Sequence, residues 1–124
     1  MRLTKKQVLR LHEMLTAETG GSAGVRDEGL LESALESAYA GFEDLEFYPT
    51  AAEKGARLGY SLISDHAFID GNKRIGMLTM LVFLELNGIS MNCTDEDVIR
   101  AGLDTAAGSM DYDALLQWVN AHRM

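Results

Sequence analysis

A chain of 124 residues with 47% hydrophobic and 24% charged residues has the make-up of a single soluble globular domain, residues 1–124, able to bury its own core. A formal net charge of −8 argues against direct nucleic-acid binding, which needs a basic face, but allows a small local pocket of positive charge. The single cysteine, Cys93, excludes an internal disulfide and a multi-cysteine zinc site, and is read as a small, part-buried hydrophobe.

The opening Met1-Arg2-Leu3-Thr4-Lys5-Lys6-Gln7 lacks the apolar region of a signal peptide, and no apolar stretch reaches the roughly 18 residues of a membrane span. A cytoplasmic protein without a membrane partner is expected. Helical spacing dominates and strand-like alternation is nearly absent. The first helix is predicted from about Thr4 to Thr19, with Leu3, Val8, Leu11 and Leu15 on one face; Gly20-Gly21-Ser22-Ala23-Gly24 ends it and forms a loop. A second starts near Asp27, carries Leu30, Leu31, Ala34, Leu35 and Ala38, and stops around Gly41. Residues Phe42 to Pro49 suit a partly extended flap. Thr50-Ala51-Ala52-Glu53 forms a capping box opening a third helix to about Asp65. Gly55 and Gly59, one turn apart on it, point to a close helix–helix contact.

The fourth helix, Asn72 to Asn87, is apolar on almost every side, which places it at the centre of the fold. Gly88 caps its end. Thr94-Asp95-Glu96-Asp97 caps a fifth helix ending near Gly108, and a sixth spans about Asp111 to His122 with Leu115, Leu116, Trp118 and Val119 inward. The expected fold is all-α: a compact domain of about six helices and a short flap around one central buried helix.

The nonapeptide His66-Ala67-Phe68-Ile69-Asp70-Gly71-Asn72-Lys73-Arg74 stands at the N-terminal mouth of that central helix. Cations there oppose the helix dipole at roughly 0.3–1 kcal/mol each. An anion at the same spot makes them favourable, and phosphate is the obvious candidate. His66 is the side chain of the cluster suited to taking a proton from an attacking hydroxyl; alone, a histidine ending a helix reads as a cap or a satisfied core group. Phe68 is expected to anchor the loop in the core. Asp70 offers an oxygen ligand for Mg2+, or else serves as the N-cap of the next helix. Gly71 lets backbone N–H groups approach a ligand, and Asn72 can donate to a phosphate oxygen. Lys73 and Arg74 can neutralise a polyphosphate, or form a solvated helix end.

The P-loop pattern Gly-x-x-x-x-Gly-Lys-Ser/Thr and the Gly-x-Ser-x-Gly elbow are absent, and His12, His66 and His122 are too scattered for zinc ligation. Phosphoryl or nucleotidyl transfer remains the best reaction class.

The nonapeptide resembles the loop of the death-on-curing (Doc) branch of the Fic superfamily, His-x-Phe-x-Asp/Asn-Ala/Gly-Asn-Lys-Arg. Gly20-Gly21, the stretch Gly24 to Ala34, Tyr48-Pro49-Thr50 and Phe83-Leu84-Glu85-Leu86-Asn87-Gly88 extend the resemblance over most of the chain. It implies a Fic/Doc-type fold and the toxin of a toxin–antitoxin pair. Such a toxin uses ATP and Mg2+ to phosphorylate a threonine of translation elongation factor Tu, arresting translation. By the same resemblance His66 is the catalytic base and Asp70 the magnesium-associated catalytic carboxylate. Gly71, Asn72, Lys73 and Arg74 bind the nucleotide's phosphates, and the Phe42–Tyr48 flap holds the target by strand-like pairing.

Two departures separate the chain from the AMP-transferring Fic enzymes. Lys73 stands where those have glycine, and Met77 where they carry a second arginine. Against the closest Doc pattern, Ile75-Gly76 replaces the commoner Thr-Ala, a change of packing rather than chemistry. The inhibitory sequence Ser/Thr-x-x-x-Glu-Gly/Asn of many Fic enzymes is missing, so inhibition is expected from a separate antitoxin chain. AMP transfer to a protein hydroxyl and a catalytically silent nucleotide-binding module are the alternatives.

Overall fold

The computed structural model describes all residues, 1–124. Six helices follow one another: α1 (Lys5–Thr19), α2 (Glu28–Ser37), α3 (Ala51–Asp65), α4 (Asn72–Leu86), α5 (Asp95–Ala106) and α6 (Tyr112–His122). A two-stranded hairpin, β1 (Gly41–Phe42) and β2 (Leu45–Glu46), lies between α2 and α3. The all-α expectation holds.

Side-chain caps explain most helix starts. Thr4, Thr50 and Thr94 form reciprocal capping boxes with Gln7, Glu53 and Asp97, while Asp27 and Asp111 accept from the N–H groups of Leu30 and Ala114. Only α4 has none: its N-cap is Gly71, left-handed at φ 76°, with no side-chain hydrogen bond.

The second helix ends at Ser37 rather than near Gly41. Tyr39 N–H bonds to the Glu36 carbonyl in a turn, which frees Gly41 and Phe42 to pair antiparallel with Glu46 and Leu45. Any side chain at Gly41 would collide with the Leu45 carbonyl.

The helices α3 and α4 run antiparallel and form the wall between two apolar clusters. On one side Leu31, Leu62, Phe68, Ile75 and Phe83 are buried with α1 and α2; on the other Ile63, Met80, Leu84, Leu115 and Val119 are buried with α5 and α6. Small residues bring the two backbones together, as Gly55 and Gly59 led us to expect. A methyl on Gly76 would lie 2.5 Å from Ile63 Cγ1 and 3.1 Å from the Gly59 carbonyl oxygen, and one on Gly55 would lie 2.6 Å from Leu84 Cδ2. The central helix α4 is buried along most of its length, but Leu78, Leu81 and Val82 are half-buried and Leu86 is exposed, lining grooves beside α1 and α5.

The hairpin is pinned at its stem. Lys54 on α3 binds Glu46 at 3.0 Å and donates to the Tyr48 carbonyl, and the Tyr48 ring meets Tyr112 edge-on at 5.2 Å. Phe42 and Leu45 pair next to its tip and Phe47 follows at the stem, bonded through its N–H to the Ala40 carbonyl; all three are exposed. Tyr112 donates to the Glu53 carbonyl at 3.3 Å. Burial, reinforced by the negative charge of Glu53, pushes its hydroxyl up to about 12.

Two predictions follow from this packing. The Gly76→Ala substitution gains about 1 kcal/mol of helix propensity but overpacks the α3–α4 contact at a cost of about 1–3 kcal/mol, so the urea midpoint should fall. The Tyr112 hydroxyl releases its proton near its ordinary value of 10.0 in the unfolded chain and only near 12 in the folded one. Its contribution to stability is complete below the first value and is lost as pH rises to the second. Tyr112→Phe should flatten the pH dependence of the melting temperature in that alkaline window.

Candidate active site

The nonapeptide closes the gap between α3 and α4, and each of its backbone turns has a visible cause. His66 ends α3 in the left-handed region, φ 52° and ψ 47°, unusual for a residue with a side chain. Its carbonyl accepts from Arg26 Nε at 2.8 Å, and Arg26 Nη2 reaches the Asp65 carbonyl at 3.3 Å, so one guanidinium closes the end of α3. The Ala67 carbonyl accepts from the N–H groups of Arg26 and Asp27, and Ile69 N–H bonds to the Gly24 carbonyl. Val25 and Phe68 pair as an antiparallel bridge. The loop that precedes α2 thus forms a rail for residues 66–69.

His66 is exposed, and its Nδ1 lies 3.0 Å from the Ser64 carbonyl. A carbonyl only accepts, so Nδ1 carries the hydrogen, and in the neutral imidazole the lone pair is then on Nε2. That is the tautomer a general base needs. Next to it, burial pushes the Asp65 carboxyl above the ordinary carboxylate range, with Arg57 and His66 opposing the shift.

Phe68 is buried, as expected of an anchor. Asn72 holds it in place: Phe68 N–H donates to Asn72 Oδ1 at 3.0 Å, and Asn72 Nδ2 donates to the Phe68 carbonyl at 3.1 Å. One amide hydrogen of Asn72 is left for another acceptor. Asp70 is not the N-cap of α4, since Gly71 occupies that position. Its carboxylate instead accepts from Gly71 N–H at 2.8 Å and, at 3.4 Å, from Ser22 N–H. A methyl on Gly21 would lie 2.6 Å from Asp70 Oδ2, so the glycine allows this approach.

The two cations have different surroundings. Arg74 Nη1 contacts Thr19 Oγ1 at 3.4 Å, beside the last turn of α1, which has no basic residue of its own. The carbonyl end of α1 therefore offsets part of the repulsion from the start of α4. Lys73 is exposed and makes no ion pair. It is the cation whose position most needs an anion.

His66, Asp70, Gly71, Asn72, Lys73 and Arg74 line one cavity of about 260 Å³, together with Ile69 and Ala106 from the end of α5. The uncapped N-terminus of α4 opens beside them. No three histidine, cysteine or acidic side chains converge anywhere in the chain to hold a metal by themselves. The residues nevertheless suit Mg2+ bound through one carboxylate, Asp70, with substrate phosphate and water supplying the rest of its shell.

Comparison with known proteins shows the family. The sequence profile of the Fic/DOC family matches residues 2–84. The chain belongs to the Fic/DOC family. It is similar to a protein named Toxin Doc from Mycolicibacterium smegmatis, at 38% identity over 98 residues covering 77% of this chain and 75% of that protein.

Within this Fic/DOC chain two residues near the site escaped the sequence reading. Arg26 lay inside a matched stretch but had no assigned role. His12 was set aside as too distant from the other histidines, yet it is buried and its Nε2 lies 2.8 Å from the Asp70 carbonyl. The available signal was its place one turn after Val8, on the apolar stripe of α1. Met77, which the resemblance sets against a second arginine of AMP-transferring Fic enzymes, is buried against Gly102 of α5 rather than lining the cavity.

Removing the Arg26 clamp should loosen the His66 turn. Arg26→Ala is expected to lower unfolding free energy by about 1 kcal/mol, the net size of an ordinary hydrogen bond, since solvent around the exposed guanidinium screens its charge, as measured by urea titration. A variant as stable as the original would mean that the left-handed turn holds without the clamp.

Proposed function

We propose that the chain is the toxin of a toxin–antitoxin pair, an ATP-dependent protein Ser/Thr phosphotransferase. It moves the γ-phosphate of ATP onto a threonine or serine hydroxyl of a translation factor, with elongation factor Tu the expected substrate, and so arrests translation in the cytoplasm. The observation that carries this reading is the convergence on one cavity of a histidine in the base tautomer, one carboxylate, an uncapped helix N-terminus and unpaired Lys73. The family membership and the similarity to a protein named Toxin Doc support it.

In the proposed reaction His66 Nε2 accepts the proton of the target hydroxyl. The oxygen attacks the γ-phosphorus, the bond from that phosphorus to the β–γ bridging oxygen breaks, and ADP departs with that oxygen. The free N–H groups of the first turn of α4, with Lys73 and Arg74, hold the phosphates and meet the charge that grows on them. Mg2+ at Asp70 would supply further neutralisation.

The hairpin supports a strand-like mode of substrate docking, because the residues of both its short strands are exposed, with the apolar side chains of Phe42, Leu45 and Phe47 also exposed. A separate antitoxin also has a surface to use. An apolar groove of about 460 Å³ between α4 and α5, lined by Leu78, Leu81, Ile99 and Leu103, runs into Lys73 and Arg74. An amphipathic segment carrying a carboxylate would fill it and neutralise those cations.

AMP transfer is the second reading, and Lys73 and Met77 weigh against it. A side-chain amine stands where glycine would leave the backbone open to phosphate, and position 77 faces α5. ATP labelled at the γ or the α phosphate separates the two: label passing to protein from the γ position alone is expected, and transfer from the α position would sink the kinase reading. His66→Ala should lower transfer by about 10²–10⁴-fold and relieve growth arrest on expression. Arrest that survives the substitution would argue for the silent nucleotide-binding module.

A further inference from the structure

His12 is a buried polar side chain without a part in the reaction scheme. It is 2% exposed, on the core side of α1, where an imidazole forgoes its hydration. Its Nε2 lies 2.8 Å from the Asp70 carbonyl oxygen, and because that oxygen only accepts, Nε2 carries the hydrogen and donates. Phe68 sets the ring plane by stacking at 4.0 Å between centroids with 20° between planes. Phe68 is in turn tied through both backbone groups to Asn72. A methyl on Gly71 would lie 3.7 Å from His12 Nε2, so the ring rests directly under the Asp70–Gly71 turn.

We propose that His12 is a positioning residue: by donating to the Asp70 carbonyl from inside the core, it fixes the Asp70–Gly71 turn. With the turn it fixes the direction of the Asp70 carboxylate and of the N–H groups that open α4. The inference rests on the phosphate-binding reading of the neighbouring cavity. His12 does not line that cavity; it lies behind the loop in a narrow cleft with Thr16, Thr19, Asp70, Gly71 and Arg74. A leucine would fill the same apolar site. What histidine adds is one directed bond to the residue that carries the carboxylate, as outer groups orient a metal's ligands elsewhere.

Three variants separate this bond from simple packing. His12→Phe keeps a ring against Phe68 and removes the donor, His12→Asn keeps polarity but is too short to reach, and His12→Gln restores a donor at about the right distance. We expect kcat for phosphate transfer from ATP to fall by about tenfold or more in His12→Phe and His12→Asn, and to return to within about threefold in His12→Gln. The KM for ATP should rise alongside, because the N–H groups that the turn aims also hold the phosphates. Unchanged kcat in both short or apolar variants, or a His12→Gln protein as impaired as His12→Phe, would overturn the proposal.

A second measurement reads the turn without any activity. Exchange of the Gly71 amide hydrogen, bonded to Asp70 Oδ1, should quicken by about tenfold in His12→Phe and recover in His12→Gln. Unchanged exchange overturns the brace even if phosphotransfer is confirmed. An original protein that transfers no phosphate, with exchange altered as expected, would defeat the phosphotransfer reading and leave the brace standing.

Discussion

The close approach of α3 and α4 across Gly55, Gly59 and Gly76 is the constraint on which the rest of the molecule depends. It sets the distance between the end of one helix, at His66, and the start of the next, at Asn72, so that a short loop spans the gap. Because the helices are antiparallel, that loop brings the carbonyl end of α3 beside the N–H end of α4. His66 and the uncapped start of α4 are thereby neighbours through helix packing alone. A wider separation would need a longer loop, with more conformational freedom to lose before the two groups could work together.

Electrostatically the site is a local exception in an acidic protein. The chain carries 19 acidic residues against 11 lysines and arginines, yet Lys73 and Arg74 adjoin a helix end that is already positive. Arg74 is partly accommodated by the carbonyl end of α1, whereas Lys73 has no such neighbour. The unfavourable field is thus concentrated on one flexible side chain at the cavity edge. Binding of a polyanion would convert that stored repulsion into attraction.

Most of the fold was legible because its signals are local. Thr4, Thr50, Thr94, Asp27 and Asp111 announce helix starts through chemistry confined to one turn, and the spacing of apolar residues gives each helix its buried face. The end of α2 was less legible, since it is set by hairpin pairing between Gly41 and Glu46 rather than by any helix-stop residue. The nonapeptide was conspicuous for its composition, but which atoms remain free in it depends on tertiary partners. Nothing local says that Asn72 spends most of its amide on Phe68, that Arg26 closes α3, or that His12 reaches Asp70 from α1. The His12 and Arg26 bonds cross 58 and 40 positions of sequence respectively.

Ala106 gives the cavity a consequence in time. The nonapeptide is complete in the chain at Arg74, but one wall of the cavity comes from the end of α5, and the second apolar cluster needs α6 as well. A polypeptide leaving the ribosome carries every reactive side chain long before it has the walls that enclose them. The cavity can therefore be finished only after α5 and the helix packed behind it have left the ribosome.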